Sequence, residues 1–244
     1  MPEMPLALPW PVPPRPEEAI EFFRGKVAMT DEQFAALAAE VRTMAFTVAG
    51  IASLDALQFL ADLITRALEE GLTLQEFQES ANTELERRGF EGLSPHRADN
   101  VFRTNMQTAF SAGRYKQMTA PEVLLNRPYW QYDAVQDERT RPTHAALDGR
   151  VWRADDPFWD TWYPPNGYRC RCGVISLSEE QVRRMGLQPE SGAPDWVERP
   201  DGLPQPLLPD PGFAHNPGKV AWKPDLSKYP PDLRAAYEQR LKSV

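Results

Sequence analysis

The chain has 244 residues, 41% hydrophobic and 25% charged, enough for one or two domains with a sizeable core. A formal net charge of −8 argues against a dedicated DNA-condensing protein, and no apolar run reaches the roughly 18 residues of a membrane span. Two cysteines two positions apart make no disulfide framework, and no basic-then-apolar leader opens the sequence, so an intracellular birthplace is expected.

Of 25 prolines, seven lie in the first 16 residues and eleven after Gln188. Residues 1–15 are therefore expected to form an extended arm, with Leu6 and Trp10 as possible anchors to a neighbour. Residues 16–120 read as helical. Thr30 and Gln33 make a capping box ahead of Phe34, Leu37, Val41, Met44 and Val48, which predicts one helix ending at Gly50. Ser53 starts the next, with Leu57, Leu60, Ile64, Ala67 and Leu68 inward and Gly71 as its stop. Thr73 and Glu76 cap a third, with Phe77, Ala81 and Leu85 inward, ending at Arg88-Gly89. Ser94-Pro95 opens a fourth through Val101, Phe102, Met106, Ala109 and Phe110. Short connections favour antiparallel neighbours. Arg103 and Asn105 fall on different faces of this fourth helix.

Residues 121–186 change character. Trp130 and Tyr132 alternate with Gln131 and Asp133, as in a half-buried strand. Leu147-Asp148-Gly149 carries a turn dipeptide before Val151 and Trp152, and Pro164-Pro165-Asn166-Gly167 is a second breaker. Cys172 to Leu177 suits a short strand. The fold class is thus α+β: a helical platform, then a small irregular β-rich domain with long loops, between extended proline-rich termini. Trp152 is expected in the core, whereas Trp159 and Trp162 fit either a core or an interface. Ser178 and Gln181 cap a short helix ending at Gly186. Residues 187–244 form a proline-rich tail in which Leu203 to Pro211 is expected to hold no regular element. A final helix is expected from Pro231 to Leu241.

Several ordered motifs resemble the phage Mu F-like minor capsid or head morphogenesis proteins. They are Asp137-Glu138-Arg139-Thr140-Arg141-Pro142-Thr143-His144, Leu147-Asp148-Gly149, Tyr163-Pro164-Pro165-Asn166-Gly167 and Cys170-Arg171-Cys172. Arg103-Thr104-Asn105 with Gly113-Arg114, and Phe213 to Gly218 with Ala221-Trp222, extend the likeness to about half the chain. The resemblance implies a structural protein of a tailed-phage or prophage head, at the portal vertex or capsid interior. It would bind portal, coat or scaffold proteins during procapsid assembly in the host cytoplasm. Weak contact with packaged DNA is compatible with the charge, and no membrane role is expected. The residues marked out as the structural motif are Asp137, Arg139, Thr140, His144, Asp148, Gly149, Pro164, Pro165, Cys170 and Cys172. The resemblance also suggests that the fourth helix is the seam between the two parts.

Three chemistries are open to this motif. His144, Cys170 and Cys172 suit zinc. Many relatives carry cysteines where Arg141 and His144 stand, and a histidine near Gly167, so at most three of the family's usual ligands survive. The same residues also serve a metal-free cross-link, with Arg139 or Arg141 paired to Asp133, Asp137 or Asp148, and this reading needs no cofactor. A cysteine nucleophile with His144 and Asp137 would make a hydrolase or transferase, but no nucleophile signature surrounds it, and no enzyme is expected. A nucleic-acid-binding head protein would instead show a contiguous basic face from Arg87, Arg88, Arg97, Arg103 and Arg114.

Overall fold

The computed structural model describes residues 16–37, 39–199 and 202–219. The arm at residues 1–15, Ala221-Trp222 and the helix expected at Pro231 to Leu241 lie outside the described residues. The class is α+β.

The chain enters through α1 (Glu17–Arg24), which buries Ala19, Ile20 and Phe23. Then β1 (Val27–Ala28) pairs in parallel with β2 (Ala45–Phe46). Between them lie α2 (Asp31–Ala35) and a 3-10 turn, Ala39–Met44. The Thr30–Gln33 capping box is present, but the long helix predicted to reach Gly50 is not. A helix there would have taken Ala45 and Phe46 away from Val27 and Ala28. A long-range strand pair outweighs the local helical pattern.

The next three helices follow their signals. α3 (Leu54–Glu70) is capped by Ser53, whose side chain accepts from Ala56 N at 3.3 Å, and stopped by Gly71 at φ 75°. A side-chain cap of this kind contributes about 1 kcal/mol. α4 (Leu74–Arg87) starts at the Thr73–Glu76 box and buries Phe77, Ala81 and Leu85. α5 (Pro95–Met118) begins at Ser94-Pro95. Val101, Phe102 and Met106 pack against the helical core as read, but Phe110 is exposed. The buried face at that level consists of Thr108, Ala109, Ser111, Ala112 and Gly113. Small residues let α1 come close: a Cβ at Gly113 would sit 2.7 Å from Ala19 N.

α5 carries on into a second core. After α6 (Pro121–Asn126), β3 (Tyr129–Asp133) forms the centre of a three-stranded antiparallel sheet. Its register sets Trp130 opposite Trp152 of β4 (Val151–Arg153) and Ser176 of β5 (Gly173–Leu177). The long connections are not structureless. One holds α7 (Pro142–Ala145) and the other α8 (Phe158–Trp162). Trp130, Trp152, Phe158, Trp159, Trp162 and Tyr163 are all nearly fully buried, which settles Trp159 and Trp162 as core. Trp152 stacks on Phe158 at 3.7 Å and Phe158 lies nearly parallel to Trp162, whereas Trp159 meets Trp130 and Trp152 edge to face, as ring quadrupoles prefer.

Neither edge of this sheet is bare. On β5, Gln107, Arg114 and Arg127 donate to the carbonyls of Cys172, Val174 and Ser176. On β4, Glu190 N donates to Val151 O at 2.7 Å. Capped edges do not recruit further strands.

α9 (Glu179–Arg184) starts at the Ser178–Gln181 box and ends before Gly186, as read. The tail departs from expectation. β6 (Trp196–Glu198) and β7 (Pro204–Pro206) form an antiparallel ribbon, and β7 lies inside the Leu203 to Pro211 segment predicted to hold no regular element. Arg199 N and Leu207 N donate to Leu203 O and Asp195 O at the two ends of the ladder, whose outer pairs hold Pro204 and Pro206, residues with no N–H to give.

Candidate functional site

The turn at the end of β3 is built by Asp148 and Gly149. Asp148 accepts from Ala134 N at 2.7 Å, and Gly149, at φ 75°, donates to Tyr132 O. This turn aims α7 inward, and Pro142 at its first position fits a helix start. His144 on α7 is thereby only 2% exposed, buried beside Cys170 and Cys172. Its Nδ1 lies 3.8 Å from Cys170 Sγ and 3.5 Å from Cys172 Sγ. The opposite nitrogen, Nε2, is buried without a hydrogen-bond partner among the described residues.

The Cys172 thiol, then His144, pulls the Cys170 thiol down to about 4 against the opposing effect of burial. Cys172 moves the other way, raised by its bond to Cys170 and by burial. The pair shares its protons, and Cys170 is the more acidic partner.

The motif residues around the cluster each have a partner. Asp137 accepts both arms of Arg171, at 2.7 and 2.5 Å, and the Arg139 amide at 3.0 Å. The Arg171 guanidinium holds the Asp137 carboxyl well below the usual carboxylate range. Arg139 reaches Asp137 only at 3.6 Å and is otherwise solvated. Thr140 donates to Val135 O. Pro164-Pro165 is a cis bond leading to buried Asn166. Asn166 accepts from Tyr132 Oη at 2.9 Å and donates to Thr161 O at 3.3 Å.

Arg141 does not pair with Asp133, Asp137 or Asp148. Its partner is Asp210, which grips it at 3.1 and 2.5 Å, and it also donates to Tyr168 O. A Cβ at Gly167 would overlap the Asp210 carboxylate and lie 2.9 Å from Arg141 Cζ. The ion pair thus fills the space that a side chain at 167 would need.

This donor set meets three corners of a tetrahedral zinc site. With metal–ligand distances of about 2.0–2.3 Å, a nitrogen–sulfur edge should span roughly 3.5 Å, as observed. His144, Cys170 and Cys172 have mutual separations within 4.8 Å, and no fourth His, Cys, Asp or Glu joins them among the described residues. A closed structural site wants four ligands. The residues present therefore do not complete one.

Nor do they assemble the enzyme trio. Asp137 is engaged by Arg171, and among the described residues no carboxylate meets the buried Nε2 of His144 to orient it. The space beside the cysteines is about 10 Å³, no more than a single water needs. The five arginines considered for a basic face are also taken up. Arg87 and Arg88 hold Glu84, Arg97 holds Ala49 O, Arg103 holds Asp99 and Arg114 holds Val174 O.

Sequence reading missed the larger feature. A cleft of about 490 Å³ opens where three motif pieces meet: Thr104 and Asn105 of α5, Pro165 and Tyr168, and Phe213 with His215. Arg103, the third residue of the α5 piece, turns away onto Asp99. Lys26 lies on the opposite wall and is 4% exposed, with Phe22 and Phe23 rings 5.5 Å from its ammonium. Nothing in the local pattern around Lys26 marks it.

The family described as Phage Mu protein F like protein matches residues 58–175, from within α3 into β5. The chain is 33% identical to the "Putative capsid assembly protein F" of Escherichia phage Mu, over 92% of this chain and 59% of that protein. It is 38% identical to the "Mu-like prophage FluMu F protein" of Haemophilus influenzae, over 59% of this chain and 37% of that protein. The alignments thus span 59% and 37% of those relatives' lengths. No solved structure matches the chain significantly. The resemblance read from the motifs is borne out: the chain is similar to the phage Mu F-like proteins over residues 58–175 and to the phage Mu protein over 92% of its length.

Proposed function

We propose that this protein serves in the assembly of a tailed-phage head as a minor structural component, acting by binding other head proteins and not by turnover. The observation that carries this reading is the 33% identity to a protein named for capsid assembly, which runs through 92% of the chain. Portal, coat or scaffold proteins are the partners, met in the host cytoplasm and retained at the portal vertex or in the capsid interior. The geometry supports binding. The cysteine cluster is closed and tied off, and the sheet edges are capped, whereas the cleft beside α5 is open and lined by the motif pieces. Duplex DNA is at most a weak partner, since the net charge is −8 and Arg87, Arg88 and Arg103 are already paired with carboxylates.

Within this reading, His144, Cys170 and Cys172 form a metal-free cross-link between the start and the end of the long loop. Arg141 and Asp210 supply a second tie where relatives place metal ligands. A tagged copy expressed with its phage and pulled from lysate tests the function. Portal, coat or scaffold protein in the eluate is the expected result. An eluate without head protein, from cells in which heads are assembling, contradicts it.

A further inference from the structure

We propose that the cleft between α5 and the Phe213–His215 segment is a docking site for an acidic peptide segment of a partner protein, with one carboxylate seated against Lys26. The proposal deepens the assembly reading and rests on it. Lys26 is the central observation. Lys26 as a whole residue is 4% exposed, and a lysine so buried is expected to have a paired carboxylate or a set of acceptors, yet no side-chain hydrogen bond or ion pair of Lys26 is found among the described residues. Its neighbours are the faces of Phe22 and Phe23, which offset only part of the desolvation. Burial alone pulls its ammonium down to about 7. A carboxylate arriving in the cleft would supply the missing partner in a place where water screens it little.

The rest of the wall fits the same ligand. Arg42 and Arg97 stand on the cleft and donate to backbone carbonyls, Arg42 also lying over the Phe34 ring, and neither is paired with a described carboxylate. The one acid on the wall, Asp31, is held by Thr47 Oγ1 and Gly50 N at 3.0 and 2.8 Å. The floor is apolar and aromatic, with Phe34, Phe46 and Phe213. Asn100 and Asn105 add polar side chains to the wall, Asn105 donating to Val101 O and Asn100 accepting from Thr104. A volume near 490 Å³ suits a few side chains and no folded element. A single deep ammonium matches a monoanionic carboxylate, whereas phosphate recognition favours a fork of guanidinium donors.

The test uses the full-length chain and blocked synthetic tetrapeptides, Phe-Glu-Pro-Phe against Phe-Gln-Pro-Phe, titrated calorimetrically at pH 6.5. The glutamate peptide is expected to bind at least tenfold more tightly than the glutamine peptide. Lys26→Met should remove that preference while leaving the fold intact by circular dichroism. Equal binding of both peptides, or no binding of either, overturns the proposal on the natural protein alone, whatever the variant does. Inorganic phosphate or a short oligonucleotide that competes as well as the glutamate peptide also overturns it. The assembly reading is scored separately, by whether head proteins co-purify with the natural chain. Absence of the peptide preference in the natural chain, with co-purification intact, refutes the docking site only.

Discussion

Arg141 and Asp210 lie 69 residues apart and meet in a two-pronged ion pair that only a glycine at position 167 permits. The pair fastens the tail segment after β7 to the loop carrying His144. It is reinforced by Asp210 N, which donates to Asn166 O at 3.0 Å.

This arrangement makes Gly167 and Asp210 energetically coupled. Gly167→Ala should cost about 1–3 kcal/mol through overpacking. In an Asp210→Ala background the same change should cost less, giving a coupling of roughly 1 kcal/mol in a double-mutant cycle. Chemical denaturation of the four proteins measures it. Additive effects would show that the pair does not set the identity of residue 167.

Replacing Cys170 and Cys172 together by serine should destabilise the small domain by about 1–3 kcal/mol, the range for losing buried packing or a hydrogen-bonded group. A chelator should leave the natural protein unchanged, and elemental analysis of protein purified without a histidine tag should find no stoichiometric zinc. One zinc per chain would refute the metal-free cross-link and make His144, Cys170 and Cys172 ligands. The loss on substitution would then be larger, because metal-binding free energy is folding free energy.

Lys26 makes stability depend on pH in a defined window. Its folded pKa of about 7 lies below the ordinary 10.5 of the unfolded chain. Between these values the unfolded state holds a proton that the folded state has lost, so folding strengthens as pH rises. The contribution approaches about 1.4 kcal/mol per pH unit inside the window. Below 7 the buried ammonium carries its full desolvation cost. Asp31, Arg42, Arg97 and His215, on the same cleft, set the surrounding field. Lys26→Met should therefore stabilise the protein at pH 7 and gain less at pH 10. A variant whose advantage is the same at both pH values would contradict the assignment.

Gly113 governs the approach of α1 to α5. Gly113→Ala drives a methyl into Ala19 N and should lower stability by about 1–3 kcal/mol despite the better helix propensity of alanine. An unchanged or raised melting temperature would show that α1 is free to shift.

The sequence disclosed what is locally encoded. Ser53, Thr73 and Ser94 cap helices because each cap needs only the next three residues. Trp130 and Tyr132 fall inward because strand alternation is equally local. It misled where a distant partner decides. Ala45 and Phe46 leave a good helical stripe to pair with β1, and Phe110 faces outward because small residues seat α1. Of the site, the meeting of His144 with both cysteines followed from motif order. Asp210 as the partner of Arg141 did not, since a lone aspartate among prolines carries no spacing signal. Lys26 escaped for the same reason: its burial is created by α1 and the cleft together.

The most direct test of the assembly role removes the protein from its phage and supplies it in trans. Electron microscopy and protein analysis of the resulting particles then count normal heads. The account predicts that normal heads fail to accumulate without the protein, return when it is supplied, and retain it as a minor component. Normal, infectious heads in its absence would contradict the account.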